Sequence, residues 1–317
     1  MRRKVMGTLL VVGCLAMAVG AAQQQEAAGR GGRTGGAPSA DALQVETLSD
    51  KLFVLRGGGG SGNTVAFITA NGVTLVDTKL PGWGQPLLDK LKTLTDKPVT
   101  TIINTHTHND HVSGNVEIPG KVEIVTHQNT KIYMEQWNPV SGFGAAGESP
   151  NPFKASGGRG MPTRTFTDRL TLGSGADQID LHYVGRAHTG GDALVVFPIA
   201  RVMAAGDIFW NKANPVIDSN NGGSGVAFPE TLRKAAAVPN IDRVITGHGA
   251  TVSLAELREY ADYIQEFVTA VQAAKKAGQT IDDVIKTWTV PDRFKGYAPA
   301  QALFVRANAE VIYAETP

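Results

Sequence analysis

Cysteine is almost missing from this sequence: among 317 residues there is one, Cys14. Once the N-terminal stretch that contains Cys14 is removed, or Cys14 is lipidated, no free thiol remains, so the protein must hold together through its core alone. A thiolate is likewise excluded as a metal ligand or as a nucleophile. The chemistry of this protein must therefore come from other side chains.

A long apolar run is also missing, which argues against a membrane-spanning helix. The longest apolar stretch, residues 5–19, has about 15 residues, whereas a spanning helix needs about 20. It follows the basic residues 1–4 and precedes small residues near Ala22, as in a secretory signal peptide. We therefore expect residues 1–22 to be a signal peptide and the protein to be exported to the periplasm or the extracellular space. A lipid anchor at Cys14 is the alternative, because the residues before it loosely resemble a bacterial lipobox.

An excess of charge of either sign is missing too, since the formal net charge is +1. The sequence has no basic stripe of the kind that nucleic-acid recognition requires, so we expect no nucleic-acid partner. A hydrophobic content of 42% with 19% charged residues is typical of a globular protein with ample core. We expect its partner to be a small-molecule substrate, and the composition does not predict an oligomeric state.

The chain divides into three segments after the signal peptide. Residues 23–40 are rich in Gln, Gly and Ala and predict a disordered linker. Residues 41–278 predict one domain of strands followed by helices, and residues 279–317 predict a helical extension packed on that domain. The glycine-rich segment 57–62 is either a flexible flap over a site or a plain hairpin connection. The long segment 138–162 is either a mobile active-site loop or a solvated excursion.

The densest cluster of reactive side chains follows a short β-branched run, residues 99–104, that predicts a buried strand. His106, His108, Asp110 and His111 come directly after it, although the whole chain contains only seven histidines. Imidazole nitrogen and carboxylate oxygen are ligands that Zn²⁺ and similar metals prefer. At the end of a strand these side chains would point into one cleft, so the cluster predicts a metal site.

Three later residues of the same kinds also lie directly after predicted strands: His188, Asp207 and His248. Because sites in open sheets form outside the carboxyl ends of the strands, we expect these side chains to converge with the first cluster. Together the two sets are enough to hold two metal ions and to leave coordination positions open.

This series resembles the signature of the metallo-β-lactamase superfamily, which is His-x-His-x-Asp-His, then a single His, an Asp and a final His, each after a strand. The match covers roughly residues 43–251 in the expected order. The resemblance implies an α/β fold, a four-layered αββα sandwich with the site at one edge between the sheets. The C-terminal helices would be an addition to that sandwich.

The resemblance also implies a role for each residue. One Zn²⁺ would be held by three histidines: His106, His108 and His188. The second would be held by the mixed set Asp110, His111 and His248, with Asp207 bridging both ions. Asp77 matches an acid of the family that binds the metal ligands without contacting the metal. Alternatively, Asp77 is an ordinary carboxylate in the turn after its strand. Two Zn²⁺, with iron or manganese as alternatives, would lower the pKa of a shared water from 15.7 towards about 7, and Asp110, the candidate catalytic residue, would orient that water.

Position 207 narrows the substrate class. One subclass of zinc β-lactamases carries cysteine there, whereas aspartate is typical of the family's glyoxalase II-type thioesterases, lactonases and phosphodiesterases. With the predicted export, the resemblance favours hydrolysis of an ester, thioester, lactone or β-lactam outside the cytoplasm. Trp210 could stack on a substrate and Lys212 could pair with its carboxylate, and a buried Trp and a surface Lys are the alternatives. A dedicated β-lactamase, a di-iron oxidoreductase of the sulfur dioxygenase kind and a non-catalytic binding protein remain alternative functions.

Overall fold

The computed structural model of this protein describes residues 38–317. The predicted signal peptide, Cys14 and residues 23–37 of the predicted linker lie outside the described residues. Within residues 38–317, no helix combines the length and the apolar character that are needed to cross a membrane.

Seven strands form the first sheet: β1 (Gln44–Ser49), β2 (Leu52–Arg56), β3 (Thr64–Ile68), β4 (Val73–Val76), β5 (Val99–Ile103), β6 (Glu123–His127) and β7 (Arg164–Phe166). They lie side by side in sequence order. The pairs from β1 to β4 are antiparallel, whereas the pairs from β4 to β7 are parallel.

Six strands form the second sheet: β8 (Arg169–Leu172), β9 (Ile179–Tyr183), β10 (Ala193–Phe197), β11 (Val202–Ala204), β12 (Arg243–Ile245) and β13 (Thr251–Ser253). Their order across the sheet is β13-β12-β11-β10-β9-β8. Only β11 and β12 pair in parallel within this described sheet.

The α-helices of residues 38–317 are α1 (Gly84–Lys92), α2 (Asn109–Val112), α3 (Gln128–Gln136), α4 (Pro152–Ala155), α5 (Phe228–Ala236), α6 (Leu254–Lys276), α7 (Ile281–Thr287) and α8 (Ala302–Glu315). The long helix α6 starts at a capping box, in which the Ser253 hydroxyl accepts from the Glu256 amide while the Glu256 carboxylate accepts from the Ser253 amide. Such a cap satisfies amides that the first helical turn leaves without partners.

Both faces of the strands are apolar, and this produces four layers. In β10, Ala193, Val195 and Phe197 belong to the core between the two sheets, whereas Leu194 and Val196 pack on the opposite face. Strands that alternate in this way between two buried faces need a cover on each side.

Helices provide the two covers. Helix α1 packs Leu87 and Leu91 on the outer face of the first sheet. Helices α5, α6 and α8 pack on the outer face of the second sheet, with Leu232, Ile264 and Ile312 in one shared core. The predicted αββα sandwich with added C-terminal helices is therefore confirmed.

Parallel strand pairs bring the functional loops to one edge of this sandwich. β4 and β5 run parallel, so Asp77 and the loop that contains His106 leave the first sheet at the same end. β11 and β12 also run parallel, so Asp207 and His248 leave the second sheet together. The carboxyl ends of these strands assemble the candidate site.

Candidate metal centre

The seven predicted metal ligands lie on the loops and turns at this edge: His106, His108, Asp110, His111, His188, Asp207 and His248. The first two follow β5, the next two lie in α2, and the last three follow β9, β11 and β12. Five of them are buried, whereas Asp110 and His248 are partly exposed, so solvent reaches the cluster from their side.

Their ligand atoms form two groups. We call the first the three-histidine group: His106, His108 and His188. We call the second, in which two imidazoles accompany a carboxylate, the mixed group: Asp110, His111 and His248. In the mixed group, one ligand atom of each residue lies within 4.8 Å of those of the other two. The same holds for the three-histidine group together with Asp207. The structure thus brings together the side chains that the sequence groups around each predicted ion.

Asp207 lies between the two groups. Its Oδ2 is 3.8 Å from His188 Nε2 and 3.3 Å from His248 Nε2, and its Oδ1 is 3.3 Å from His111 Nε2. His248 Nε2 is also 3.1 Å from Asp110 Oδ2. One carboxylate therefore reaches nitrogen donors in both groups, which is the geometry expected of a bridging ligand.

The donor set is suited to metal ions, because two of its inward-facing atoms lack protein partners. His106 Nε2 and Asp207 Oδ1 are buried and have no hydrogen-bond partner among residues 38–317. A buried polar atom in this condition costs about 1–3 kcal/mol unless something binds it. Two glycines leave room beside the cluster: an added Cβ at Gly247 would overlap Asp207 Oδ1, and one at Gly62 would overlap the His111 ring. Borderline metals such as zinc bind nitrogen and oxygen donors of this kind.

Asp77, the predicted supporting acid, lies directly behind the ligands. Its Oδ2 accepts hydrogen bonds from His111 Nδ1 and from the Thr105 hydroxyl, both at 2.7 Å. The Thr105 oxygen is in turn 3.0 Å from His106 Nδ1. One buried carboxylate therefore orients a histidine in each group, so that both Nε2 atoms face the site. Asp77 has a φ of 61°, a left-handed conformation that aspartate adopts more readily than most non-glycine residues.

Two further contacts, which sequence reasoning missed, orient the other histidines. His108 Nε2 donates to Asp218 Oδ2 at 2.8 Å, and His188 Nδ1 donates to the Val216 carbonyl at 2.7 Å. The neutral His188 ring, whose outer nitrogen carries the proton, presents its Nε2 lone pair to His108 Nδ1 across 3.0 Å. Two ring nitrogens that face each other at this distance need a proton or a metal ion between them.

Burial sets the protonation of the three-histidine group. It lowers the pKa of His106 well below the usual value and the pKa of His188 to about 4. His108 differs: although burial opposes protonation, the hydrogen bond to Asp218 raises its pKa. Burial raises the pKa of Asp218, but the hydrogen bond from His108 helps to lower it to about 2. Two of the three imidazoles are therefore neutral donors at neutral pH.

Charge sets the protonation of the mixed group. Although burial opposes it, Asp110 and Asp207 raise the pKa of His111 well above the usual value, and Asp207 raises the pKa of His248 to about 9. Burial raises the pKa values of the Asp110 and Asp207 carboxyl groups, but the two imidazoles outweigh it and hold both pKa values well below their usual range. A metal ion that enters the mixed group must therefore displace protons.

The glycine-rich segment 57–62 connects the antiparallel strands β2 and β3, and a buried lysine fixes its ends. Lys79 Nζ donates to the Gly57 carbonyl at 2.9 Å and to the Gly62 carbonyl at 2.7 Å. The Gly62 amide in turn donates to the Asp110 carbonyl at 3.2 Å. Burial lowers the pKa of Lys79 to about 7, although nearby carboxylates oppose this shift. These contacts connect the segment 57–62 to the mixed group. Sequence reasoning did not identify Lys79.

The long segment 138–162 lies against the three-histidine group. The Ser141 amide donates to Asp218 Oδ1 at 3.0 Å. A small cleft lies between residues 146–149 of this segment and the side of the site formed by His108 and Asn109. The segment therefore forms one border of the site, as an active-site loop would, although many of its residues are exposed.

The two candidate substrate-binding residues have different surroundings. Trp210 is partly exposed, and its ring centroid lies 5.7 Å from that of His248, so it borders the mixed group. Lys212 Nζ lies 2.9 Å from Glu256 Oε1 and 3.8 Å from Glu259 Oε1. An ammonium group that is already paired with carboxylates is poorly placed to bind the carboxylate of a substrate.

Comparisons with known proteins agree with this fold. The family model of the metallo-beta-lactamase superfamily matches residues 57–248, more than half of the chain. The "Metallo-beta-lactamase type 2" of Elizabethkingia meningoseptica is 23% identical over 244 residues, which cover 71% of this chain and 86% of that protein. A solved metallo-beta-lactamase from Pontibacter korlensis aligns with a TM-score of 0.55 at 21% identity, over 70% of this chain and 99% of its own. A double mutant of the sec-alkyl sulfatase PisA1 aligns with a TM-score of 0.64 at 13% identity, over 86% and 50%.

The sandwich and its cluster of histidines and aspartates define a metal-dependent hydrolase. The chain belongs to the metallo-beta-lactamase superfamily. The family model ends at His248, so helices α6 to α8 lie beyond the part of the chain that it matches.

Proposed function

We propose that this chain is an exported binuclear zinc hydrolase that cleaves a carbonyl substrate, namely an ester, a thioester, a lactone or a β-lactam. The observation that carries the proposal is the position of Asp207, whose oxygens lie 3.3 Å from His111 Nε2 and 3.8 Å from His188 Nε2. A carboxylate between two sets of nitrogen donors suits two cations that share it. The same donors accept iron or manganese, which are the alternatives to zinc.

The residues of the chain contribute orientation and proton handling. Bound zinc would supply the Lewis acidity that makes water nucleophilic near neutral pH and polarises a substrate oxygen. Asp110 is the candidate catalytic residue, because its carboxyl group is partly exposed and its pKa is held well below the usual range. From this position the ionised Asp110 carboxylate can orient the attacking water through a hydrogen bond. Asp77 keeps the rings of His111 and, through Thr105, His106 in place during the reaction.

The walls of the site favour a substrate that does not depend on a carboxylate. Lys212 is engaged by Glu256, whereas Trp210 offers an aromatic ring beside His248. We therefore expect neutral esters, thioesters or lactones to be turned over better than β-lactams, whose bicyclic forms carry a carboxylate.

A β-lactamase proper is the second candidate. The observation that favours it is the naming of the relatives, since the proteins from Elizabethkingia meningoseptica and Pontibacter korlensis are both called metallo-beta-lactamases. The substrate preference decides between the two candidates. If the protein is a β-lactamase proper, a chromogenic cephalosporin will be turned over much faster than the neutral esters.

Export is proposed from the basic and apolar pattern of residues 1–22. The N terminus of the protein recovered after expression tests it. A new N terminus near Ala22 supports soluble export, and a lipid-modified Cys14 supports anchoring. A cytoplasmic protein that retains Met1 and the whole apolar stretch would contradict export.

One panel of assays tests the catalytic proposal. Metal-free protein is reconstituted with zinc, iron or manganese and offered a chromogenic cephalosporin, a thioester, a lactone and a phosphodiester, while metal content is measured in the same samples. We expect about two zinc ions per chain and turnover of a carbonyl substrate. Turnover of the phosphodiester alone would contradict the substrate class. An iron-loaded protein that hydrolyses none of the four substrates would support the oxidoreductase, and an inert protein that takes up no metal would support the binding protein.

A further inference from the structure

One buried amide connects the C-terminal helix α8 to the metal centre. Asn308 is fully buried, and both ends of its side chain are used. Its Nδ2 donates to the Pro215 carbonyl at 2.8 Å, and its Oδ1 accepts from the Ile217 amide at 3.1 Å. The side chain thus satisfies backbone groups on two alternate residues of one segment, as a neighbouring strand would.

The residues that Asn308 holds alternate with the residues that orient the histidines. The Val216 carbonyl accepts from His188 Nδ1, and the Asp218 carboxylate accepts from His108 Nε2. Residues 214–218 have no regular secondary structure, so no ladder of backbone hydrogen bonds fixes them. Their positions therefore depend on individual contacts such as those of Asn308.

We propose that Asn308 is a positioning residue for the metal centre. By fixing Pro215 and Ile217, it holds Val216 and Asp218 against two imidazoles and so sets the metal affinity of the three-histidine group. This inference rests on the proposed metal site. It adds that part of the affinity comes from helix α8, which lies outside the residues 57–248 that match the family model.

The physical reason is the cost of unpaired backbone groups. Without the Asn308 amide, the Pro215 carbonyl and the Ile217 amide would be buried without partners, and the segment would move until water or other groups satisfied them. Such a movement carries Val216 and Asp218 away from the outer nitrogens of the histidines. Loss of a partner at the outer nitrogen of a ligating histidine lowers metal affinity by about 10- to 100-fold.

Two substitutions on the same helix separate this role from general stability. Asn308→Leu keeps the size of the side chain and removes both hydrogen bonds. Thr316→Val is the matched control, because Thr316 is also buried and its hydroxyl donates within the end of α8, to the Ile312 carbonyl at 2.7 Å. Both variants lose hydrogen bonds from side chain to backbone, but only the first touches the segment behind the histidines.

The test measures metal affinity and the state of the imidazole N–H groups. The zinc affinity of each variant is determined by competition with a chromophoric chelator. In the cobalt-substituted protein, proton NMR follows how fast the shifted N–H signals of His188 and His108 exchange with D₂O. We expect Asn308→Leu to weaken the affinity of one site by about 10- to 100-fold and to speed this exchange. We expect Thr316→Val to match the wild type in both readouts.

Each other outcome counts against a definite claim. If Asn308→Leu and Thr316→Val lower the midpoint of unfolding equally and both keep wild-type affinity and exchange, the inference about Asn308 is overturned while the proposed metal site stands. If the wild-type protein takes up neither zinc nor cobalt, both are overturned. Should Asn308→Leu fail to fold, Asn308→Asp carries the test, because it keeps the size and the acceptor for the Ile217 amide. A smaller loss of affinity would then support the inference, and wild-type affinity would overturn it.

Discussion

The two halves of the metal centre are assembled by different forces. In the three-histidine group, burial keeps His106 and His188 neutral, and neutral acceptors such as the Val216 carbonyl orient the rings. In the mixed group, carboxylates raise the pKa values of His111 and His248, so protons hold the group together until a cation replaces them. In the three-histidine group only His108 has a raised pKa, whereas both imidazoles of the mixed group must exchange protons for a metal.

The largest expected effect comes from removing one ligand in either half. His106→Ala deletes a donor of the three-histidine group, and Asp110→Ala deletes the carboxylate of the mixed group. Each should reduce kcat/KM by several orders of magnitude, because hydrolysis needs both halves. Kinetics with the substrate found in the panel, together with circular dichroism and metal analysis, check this. Full activity in either variant would remove that residue from the site.

A smaller effect distinguishes the supports of the two halves. The Asp218 carboxylate binds one ligand side chain, that of His108, whereas Asp77 supports a histidine in each half. We expect Asp218→Asn to lower the affinity for one of two zinc ions by about 10- to 100-fold, and Asp77→Asn to lower both. Chelator competition measures the two affinities separately. If the two variants weakened the same single site, the assignment of supports would be wrong.

The pH dependence of zinc binding tests the difference in charge. Because the pKa of His248 is about 9, this imidazole is protonated at neutral pH, and zinc must displace the proton. The affinity of the mixed group should therefore fall as the pH falls below 9, by about tenfold per pH unit for each proton released. His188, with a pKa of about 4, contributes no such dependence to the three-histidine group in this range.

Calorimetry in two buffers of different ionisation enthalpy measures these protons. At pH 7 one equivalent of zinc should release clearly more protons than the other. Equal release for both equivalents would contradict the contrast between the halves.

The smallest effect concerns the substrate. Lys212→Met should change KM by less than about fivefold even for a substrate with a carboxylate, because an accessible ion pair contributes only about 0.2–1 kcal/mol and this one is already engaged by Glu256. Trp210→Ala should raise KM more, since its ring borders His248. Steady-state kinetics of both variants on one ester and one β-lactam check the order. The opposite order would restore Lys212 as a substrate-binding residue.

The fold and the convergence of the candidate ligands could be predicted because they depend on local pattern. Asp207 and His248 each follow a strand, and parallel strands carry such residues to one edge. Apart from Asp77, the residues that support the histidines could not be predicted in the same way. Asp218 and Asn308 lie in segments whose sequence has no signal for their role, and only tertiary contacts bring them to the histidines.

Lys79 and Lys212 show the same limit for charged residues. A lysine in a sequence reads as exposed, yet Lys79 is fully buried and fastens the segment 57–62. Lys212 has a suitable spacing from Asp207 for a substrate contact, but Glu256, on a distant helix, engages it. In both cases the partner lies far away in the sequence, so pattern alone did not reveal it.

The most direct test of the central claim is an anomalous difference map, recorded at the zinc absorption edge from crystals of the zinc-loaded protein. We predict two peaks, one against the nitrogens of the three-histidine group and one in the mixed group, with the Asp207 carboxylate between them. A single peak, or peaks that leave Asp207 without a metal contact, would contradict a two-metal centre bridged by this residue.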